Sequence, residues 1–175
     1  LPLGMALHRS LERTAGDFQL WIACMDENVE RDLARLGLEH VRLIPFRDLE
    51  SRFPALLEAK RNRSHGEYCW TVTPFLPEMV FHVEPEASRV TYVDADLYFF
   101  GSPRPIFEEF ARSGAHVLVT EHAYSPDADH TDSAGRFNVQ FLPFDRSPKA
   151  FEILAWWQSR CLGLCTSDSA SGSYG

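Results

Sequence analysis

Hydrophobic positions recur along the chain in two alternating patterns, one typical of helices and one of strands. Residues 4–16 carry apolar side chains at three- and four-residue spacing, which predicts a helix. Residues 17–25 follow with a continuous apolar run, which is typical of a strand covered on both faces. The same criteria predict further helices over residues 26–37, 47–63, 66–85, 102–114 and 147–165, and strands over 40–46, 115–122 and 136–145. Residues 89–100 are predicted to form a buried strand followed by a short strand or a turn.

Capping and breaking residues support several of these predicted boundaries. Asp26 is a suitable N-cap for the helix that Gly37 ends, and Ser147 is a suitable N-cap for the last helix. Pro54 breaks residues 47–63 or opens a second helix there. Residues 66–85 are rich in β-branched and aromatic side chains, but two prolines argue against a central strand, so an irregular helix is expected. Helices alternating with strands predict an α/β fold.

The organisation along the chain indicates a single domain over residues 1–165. Residues 166–175 are small and polar, and we expect a flexible tail there. Residues 124–135 form a polar loop that is long for a compact domain, and such loops are often functional. The chain shows no internal repeat.

Composition narrows the class of function. Of 175 residues, 45% are hydrophobic, and 25 acidic residues against 17 basic ones give a net charge of −8. This balance argues against a general nucleic-acid binder. A phosphorylated substrate would therefore need local compensation, from a metal or from a few placed cations.

Localisation signals are absent from the segment. No apolar run reaches the length of a bilayer span, and no signal peptide opens the chain, so a cytoplasmic protein without a membrane span in this segment is expected. The chain begins at Leu1 and its first methionine is Met5, so we expect a fragment or a processed product.

The four cysteines do not predict a zinc site, because their spacings match no known zinc-ligand pattern. Cys161 and Cys165 lie four apart on a predicted helix and are interpreted as buried small hydrophobic residues.

Two carboxylates at the end of a buried strand form the main candidate site. In the stretch RVTYVDADLYFFGSP, alternation along the strand predicts that Asp94 and Asp96 lie on the same face of the backbone. Like charges this close require a shared proton or a divalent cation. Mg²⁺ and Mn²⁺ take oxygen ligands and leave positions open for substrate phosphates, so the pair predicts a metal that binds a diphosphate. The alternative is a solvated loop with two unrelated aspartates.

This stretch, TYVDADLYFFGSPRPIFEEF, resembles the D-x-D region of GT-A-fold glycosyltransferases, most closely those around glycosyltransferase family 8. The stretches LPLGMALHRSL, AKRNRS, WTVTPFLP, RFNVQFLPF and FEILAWWQSRC match the family in order, so the resemblance covers nearly the whole chain. It implies a Rossmann-like nucleotide-diphospho-sugar transferase fold with a mixed, mostly parallel sheet and flanking helices. Against the family pattern, the first strand and the region after Gly175 are lacking, so the fold is expected to be incomplete at both ends.

The resemblance also implies a hexosyltransferase activity with a UDP- or GDP-sugar donor and Mn²⁺ or Mg²⁺. Asp94 and Asp96 would hold the metal and the donor, and Lys60 would be the cation near the donor, with Arg61 and Arg63 less certain. The acceptor, a saccharide, a lipid or a protein, is not specified by the resemblance.

Other candidate residues carry two interpretations each. Asn138 matches a family position that faces the sugar, although a buried Asn could equally fix a neighbouring loop. Glu121 and His122 end a predicted strand and could serve acid–base chemistry or contact only water. Thr71 could line the donor pocket or cap a helix.

The leading hypothesis is thus a metal-dependent glycosyltransferase with Asp96, Asn138 and Glu121 as catalytic candidates. A haloacid dehalogenase-like phosphatase also uses D-x-D, but that motif usually closes the first strand of its domain, whereas here it follows two α/β units. A catalytically inactive sugar-binding relative is the third hypothesis.

Overall fold

The fold was examined in a computed structural model, which describes residues 2–166 apart from the side chains of residues 133 and 134. The predicted tail, residues 166–175, therefore lies outside the described residues except for Thr166. The helices are α1 Pro2–Thr14, α2 Glu27–Leu36, α3 Phe46–Arg52, α4 Ala55–Arg61, α5 His65–Val72, α6 Phe75–Val83, α7 Arg104–Ser113, α8 Thr131–Ala134 and α9 Pro148–Gly163. The strands are β1 Leu20–Cys24, β2 Val41–Pro45, β3 Arg89–Val93, β4 Thr120–Glu121, β5 Phe137–Asn138 and β6 Phe141–Asp145.

The strands pair in small sheets. Within residues 2–166 there are three two-stranded sheets, β1–β2, β3–β6 and β4–β5. The β1–β2 pair is parallel, from Leu20 opposite Val41 to Cys24 opposite Pro45, whereas β4–β5 is antiparallel. The mixed α/β class is thus confirmed, but in place of the predicted mostly parallel sheet this part of the chain forms short pairs.

The first of two compact units comprises residues 1–49 and 93–115. Its α2 connects the parallel strands β1 and β2 and packs against both. The predicted boundaries of α2 are confirmed: Asp26 Oδ1 accepts hydrogen bonds from the backbone N–H groups of Asn28 (2.8 Å) and Val29 (2.9 Å). Gly37 ends the helix at φ 55°, a left-handed conformation that glycine adopts without steric cost.

The second unit comprises residues 50–92 and 116–175. Its core contains Phe81, Leu142, Phe144 and Leu154, each at most 4% exposed. Helix α9 packs against α4, α5 and α6, and its predicted N-cap is confirmed, since the Ser147 hydroxyl accepts from the Ala150 N–H at 3.1 Å. The prediction of a single domain over residues 1–165 stays a prediction.

Two predicted strands of this unit are shorter than expected. Residues 115–122 contain only β4 and an isolated bridge between Val117 and Phe144. Residues 136–145 divide into β5 and β6, because the Asn138 side chain accepts a hydrogen bond from the Gln140 backbone N–H at 2.8 Å. Such a local side-chain bond replaces a ladder partner and interrupts the strand.

Two mostly helical predictions are confirmed with breaks at prolines. Residues 47–63 divide into α3 and α4, with Pro54 immediately before α4, and residues 66–85 divide into α5 and α6, with Pro74 before α6. Across the described chain, none of the helices combines the length and the apolar character that crossing a bilayer requires.

Candidate functional site

The two aspartates of the D-x-D stretch follow directly after β3. The strand ends at Val93, Asp94 is half-buried and Asp96 is exposed. The Leu97 N–H donates to the Asp94 carbonyl at 3.2 Å, which closes a turn with Asp96 inside it. The position at the carboxyl end of a strand is confirmed. The predicted alternation of a strand through Asp96 is wrong, however, because Asp96 lies in a turn and not in a strand.

Helix α1 anchors the segment that follows the two aspartates. The buried Ser10 hydroxyl accepts a hydrogen bond from the Phe99 N–H at 3.0 Å and donates to the Leu7 carbonyl at 2.7 Å. The Arg13 guanidinium donates to the Phe99 carbonyl at 3.4 Å and lies over the Tyr98 ring at 5.4 Å. No local pattern in the sequence points to these anchoring residues, since more than 80 positions separate the partners.

The donor set at Asp94 and Asp96 fits a hard divalent cation. In the part of the chain that the structure describes, no cluster of three or more His, Cys, Asp or Glu side chains could enclose a metal. Mg²⁺ in phosphate-transfer enzymes is commonly held by one or two carboxylates, and substrate phosphates and water complete the coordination. Two aspartates, one of them exposed, are therefore an adequate protein contribution to such a site.

Lys60 is engaged by a neighbouring carboxylate. Its Nζ lies 2.6 Å from Oε1 of Glu50, which is only 13% exposed, and 5.7 Å from the centre of the Tyr68 ring. The buried Tyr68 hydroxyl donates to the same Glu50 oxygen at 2.9 Å. Burial, and then the Glu50 hydrogen bond, raise the pKa of Tyr68 above its ordinary value. The charge of Lys60 is thus balanced in the structure, and its role near a donor stays a prediction.

Arg63 and Thr71 form hydrogen bonds inside the second unit. The Arg63 guanidinium donates to the Thr71 hydroxyl, to the Cys161 carbonyl (2.6 Å) and to the Leu162 carbonyl (2.8 Å). Thr71 is fully buried, and its hydroxyl donates to the Glu67 carbonyl at 2.7 Å. The prediction that Thr71 contacts the donor therefore does not fit this geometry, because its hydroxyl has no exposed surface.

The third residue of the basic cluster, Arg61, differs from Arg63. Its side chain is 76% exposed and lies 3.4 Å from Glu58, which is a loose surface pair. The pattern AKRNRS thus combines a surface arginine with one that is committed to the interior, a difference that the sequence does not show.

The predicted burial of Cys161 and Cys165 is confirmed. Cys161 and Cys165 are both buried, at 5% and 3% exposure. They form a hydrogen-bonded thiol pair in which the contact with Cys161 lowers the pKa of Cys165.

Glu121 and Asn138 are brought together by the hairpin of β4 and β5. Thr120 lies opposite Asn138, and Glu121 lies opposite Phe137. The Glu121 carboxylate is exposed and forms an ion pair with the Arg136 guanidinium at 2.5 Å. Asn138 is half-buried.

The predicted site residues are distributed over both units. Asp94 and Asp96 belong to the first unit, whereas Lys60, Thr71, Glu121 and Asn138 belong to the second. Within the second unit, the structure brings Glu121 and Asn138 onto one hairpin and places Lys60 and Thr71 among the helices.

Comparison with known protein sequences finds two relatives in Bacillus subtilis (strain 168). The uncharacterized protein YfnF is 35% identical over 178 residues, and the uncharacterized protein YfnD is 33% identical over 177 residues. Each match covers 98% of this chain but only 57% and 55% of the respective relative. The chain thus spans little more than half the length of these relatives. No protein-family model matches it.

Comparison with solved structures finds the crystal structure of mouse xyloside xylosyltransferase 1 in its apo form. The TM-score is 0.58 at 20% sequence identity, and the match covers 91% of this chain and 68% of that protein. At this identity the likeness concerns the fold. The chain therefore has a glycosyltransferase-like mixed α/β fold, with small sheets and flanking helices.

Proposed function

We propose that the chain carries the donor-binding part of a metal-dependent glycosyltransferase that moves a sugar from a nucleotide diphosphate to an acceptor hydroxyl. The observation that carries the proposal is that Asp94 and Asp96 lie in a turn directly after β3. The fold of the chain also matches that of a xylosyltransferase over 91% of its length. The resemblance to family 8 supports the same activity.

The metal would be held by Asp94 and Asp96. A bound Mg²⁺ or Mn²⁺ would supply charge neutralisation for the departing diphosphate. The chain itself contributes two carboxylate ligands on a segment that Ser10 and Arg13 hold in place through hydrogen bonds to Phe99. A fixed segment reduces the conformational entropy that is lost when the metal and the donor bind.

Asn138 would orient the sugar, and Glu121 is the candidate acid–base group. The Asn138 amide can donate to a sugar hydroxyl, a contact that is typical of saccharide sites. In the structure the Glu121 carboxylate is paired with the Arg136 guanidinium through its Oε1 atom.

The test is calorimetric titration of Mn²⁺ with UDP or GDP into the wild type and into Asp94→Asn and Asp96→Asn. Removal of groups that only support a metal ligand costs about 10- to 100-fold in metal affinity, so loss of a ligand itself should exceed that range. Asp132→Asn is the matched control, because Asp132 is an exposed aspartate that is not part of the D-x-D stretch, and this variant should bind as the wild type does.

Three results separate the hypotheses. Unchanged Mn²⁺-dependent nucleotide binding in both D-x-D variants would overturn the proposed metal site. Covalent trapping of a phosphate mimic such as fluoroberyllate at Asp94 would instead support a phosphatase. Binding of a nucleotide sugar without transfer or hydrolysis would support an inactive sugar-binding relative.

A further inference from the structure

The side-chain amide of Asn138 is oriented by two different neighbours. Its Oδ1 lies 2.8 Å from the Gln140 backbone nitrogen, and its Nδ2 lies 3.4 Å from Nδ1 of His122. A backbone N–H can only donate, so the atom of Asn138 that faces Gln140 must be the oxygen. This assigns the amide orientation independently of His122.

The orientation of Asn138 determines the tautomer of His122. Because the Asn138 Nδ2 only donates, the His122 Nδ1 that faces it must accept. An accepting Nδ1 carries no proton, so His122 is neutral with its proton on Nε2. The hydrogen bond between them is therefore available only to the neutral imidazole.

The imidazole of His122 is held in place for this contact. Its ring stacks on Tyr124, with 4.7 Å between ring centres and 16° between planes. Its backbone N–H donates to the Arg136 carbonyl at 2.9 Å, which fixes the residue in the hairpin.

We propose that His122 is a positioning residue: in its neutral form it accepts a hydrogen bond from the Asn138 amide and, together with the Gln140 backbone, holds that amide in the orientation that recognises the donor sugar, and protonation of His122 removes that hydrogen bond. The inference rests on the proposed function, in which Asn138 contacts the sugar. Its consequence is that sugar recognition weakens on acidification, once His122 becomes protonated.

The structure places several titratable or charged groups on the elements next to His122. Glu121 and Arg136 form their ion pair on the same hairpin, and His130 meets the Tyr124 ring edge-on at 5.8 Å between centres. His130 is a second imidazole beside Tyr124, so the experiment must separate its effect from that of His122.

The first measurement is a pH titration by NMR of the Asn138 side-chain amide and the His122 ring in the wild-type chain. The chemical shifts of the Asn138 side-chain amide should change with pH with the same midpoint as the chemical shifts of the His122 ring. His122→Gln should abolish that movement, because its carbonyl oxygen can accept the same hydrogen bond but does not titrate. His130→Gln is the matched control and should leave the movement intact.

The second measurement is the affinity, with Mn²⁺, for UDP-glucose or GDP-mannose, whichever binds, and for the corresponding nucleoside diphosphate. Acidification should lower the affinity for the sugar nucleotide by about three- to tenfold more than it lowers the affinity for the nucleoside diphosphate, because that is the loss expected for one hydrogen bond. His122→Gln should retain the neutral-pH affinity in acid, while His130→Gln should behave as the wild type does.

Two outcomes would overturn the inference: an Asn138 amide that does not follow the His122 titration, or an acid loss of sugar affinity that persists in His122→Gln. Failure of the proposed function looks different, because neither nucleotide sugar would then bind at any pH. In that case the proposed contact of Asn138 with the donor sugar is rejected, and the NMR titration of the wild-type chain alone decides whether His122 positions the Asn138 amide.

Discussion

At the scale of single residues, the sequence shows which side chains carry charge but not which charges are already used. Lys60 is paired with Glu50, Arg63 is bonded to two carbonyls of the α9 terminus, and Arg61 extends into solvent. A basic run is therefore a mixture of structural and surface roles, and only the exposed members remain adaptable to a ligand.

Replacing Arg63 by Met should lower the free energy of unfolding by roughly 2–4 kcal/mol. The Cys161 and Leu162 carbonyls lose a charged donor, and buried acceptors without a partner are costly. Urea denaturation measures the change.

The matched control for Arg63→Met is Arg61→Met, which should change the free energy of unfolding by less than about 0.5 kcal/mol, as for other exposed ion pairs. If both substitutions have equal effects, the bonds of Arg63 to α9 do not contribute to stability.

At the scale of elements, helix starts depend on small polar clusters. Ahead of α9, the Ser147 hydroxyl donates to Asp145 Oδ1 at 2.6 Å, and His116 Nδ1 lies 3.0 Å from Asp145 Oδ2. The Asp145 carboxylate thereby connects the end of β6, the start of α9 and the segment ahead of β4.

Stability should fall in acid partly through Asp145. Burial acts to raise the pKa of Asp145, but the hydrogen bonds from Ser147 and His116 outweigh it and hold the pKa below its ordinary value of 3.8. A lowered folded-state pKa means that the unfolded chain binds more protons in this range. The contribution is therefore present above 3.8 and is lost as the pH falls through the folded-state pKa.

The measurement is the free energy of unfolding by urea, followed from neutral pH into acid. Asp145→Asn should be less stable than the wild type at neutral pH, and the difference should shrink in acid. The exposed Asp132→Asn should show no such convergence. A constant difference between Asp145→Asn and the wild type would contradict the assignment.

At the scale of the whole molecule, net charge and fold together constrain the chemistry. A net charge of −8 repels a nucleotide diphosphate, so a donor-binding chain of this composition depends on local positive charge. Lys60 and Arg63 are already paired inside the second unit, and the remaining source in the proposal is the cation at Asp94 and Asp96.

Removal of divalent metal should therefore weaken the binding of UDP or GDP by more than about 100-fold, since the loss should again exceed that of a supporting group. When a chelator has removed the metal, the residual binding of UDP or GDP should strengthen as the salt concentration rises, because screening reduces the repulsion between like charges. Calorimetry with Mn²⁺ and with chelator measures both. Metal-independent binding that weakens with salt would instead indicate a basic site made by the chain.

The sequence by itself determined the alternation of helices and strands, the caps at Asp26 and Ser147 and the D-x-D pair at the end of β3, because these depend on neighbours within a few positions. Only the tertiary structure decided that Asp96 lies in a turn, that Ser10 anchors the segment after it, and that Thr71 is buried under Arg63. It also split the predicted strand at Asn138 and set the short strand pairs. The turn at Asp96 rests on a local backbone bond that hydrophobic periodicity does not distinguish from a continuing strand. The other outcomes depend on partners distant in sequence, or on competition between a side chain and the backbone for one hydrogen bond, which periodicity and spacing do not encode.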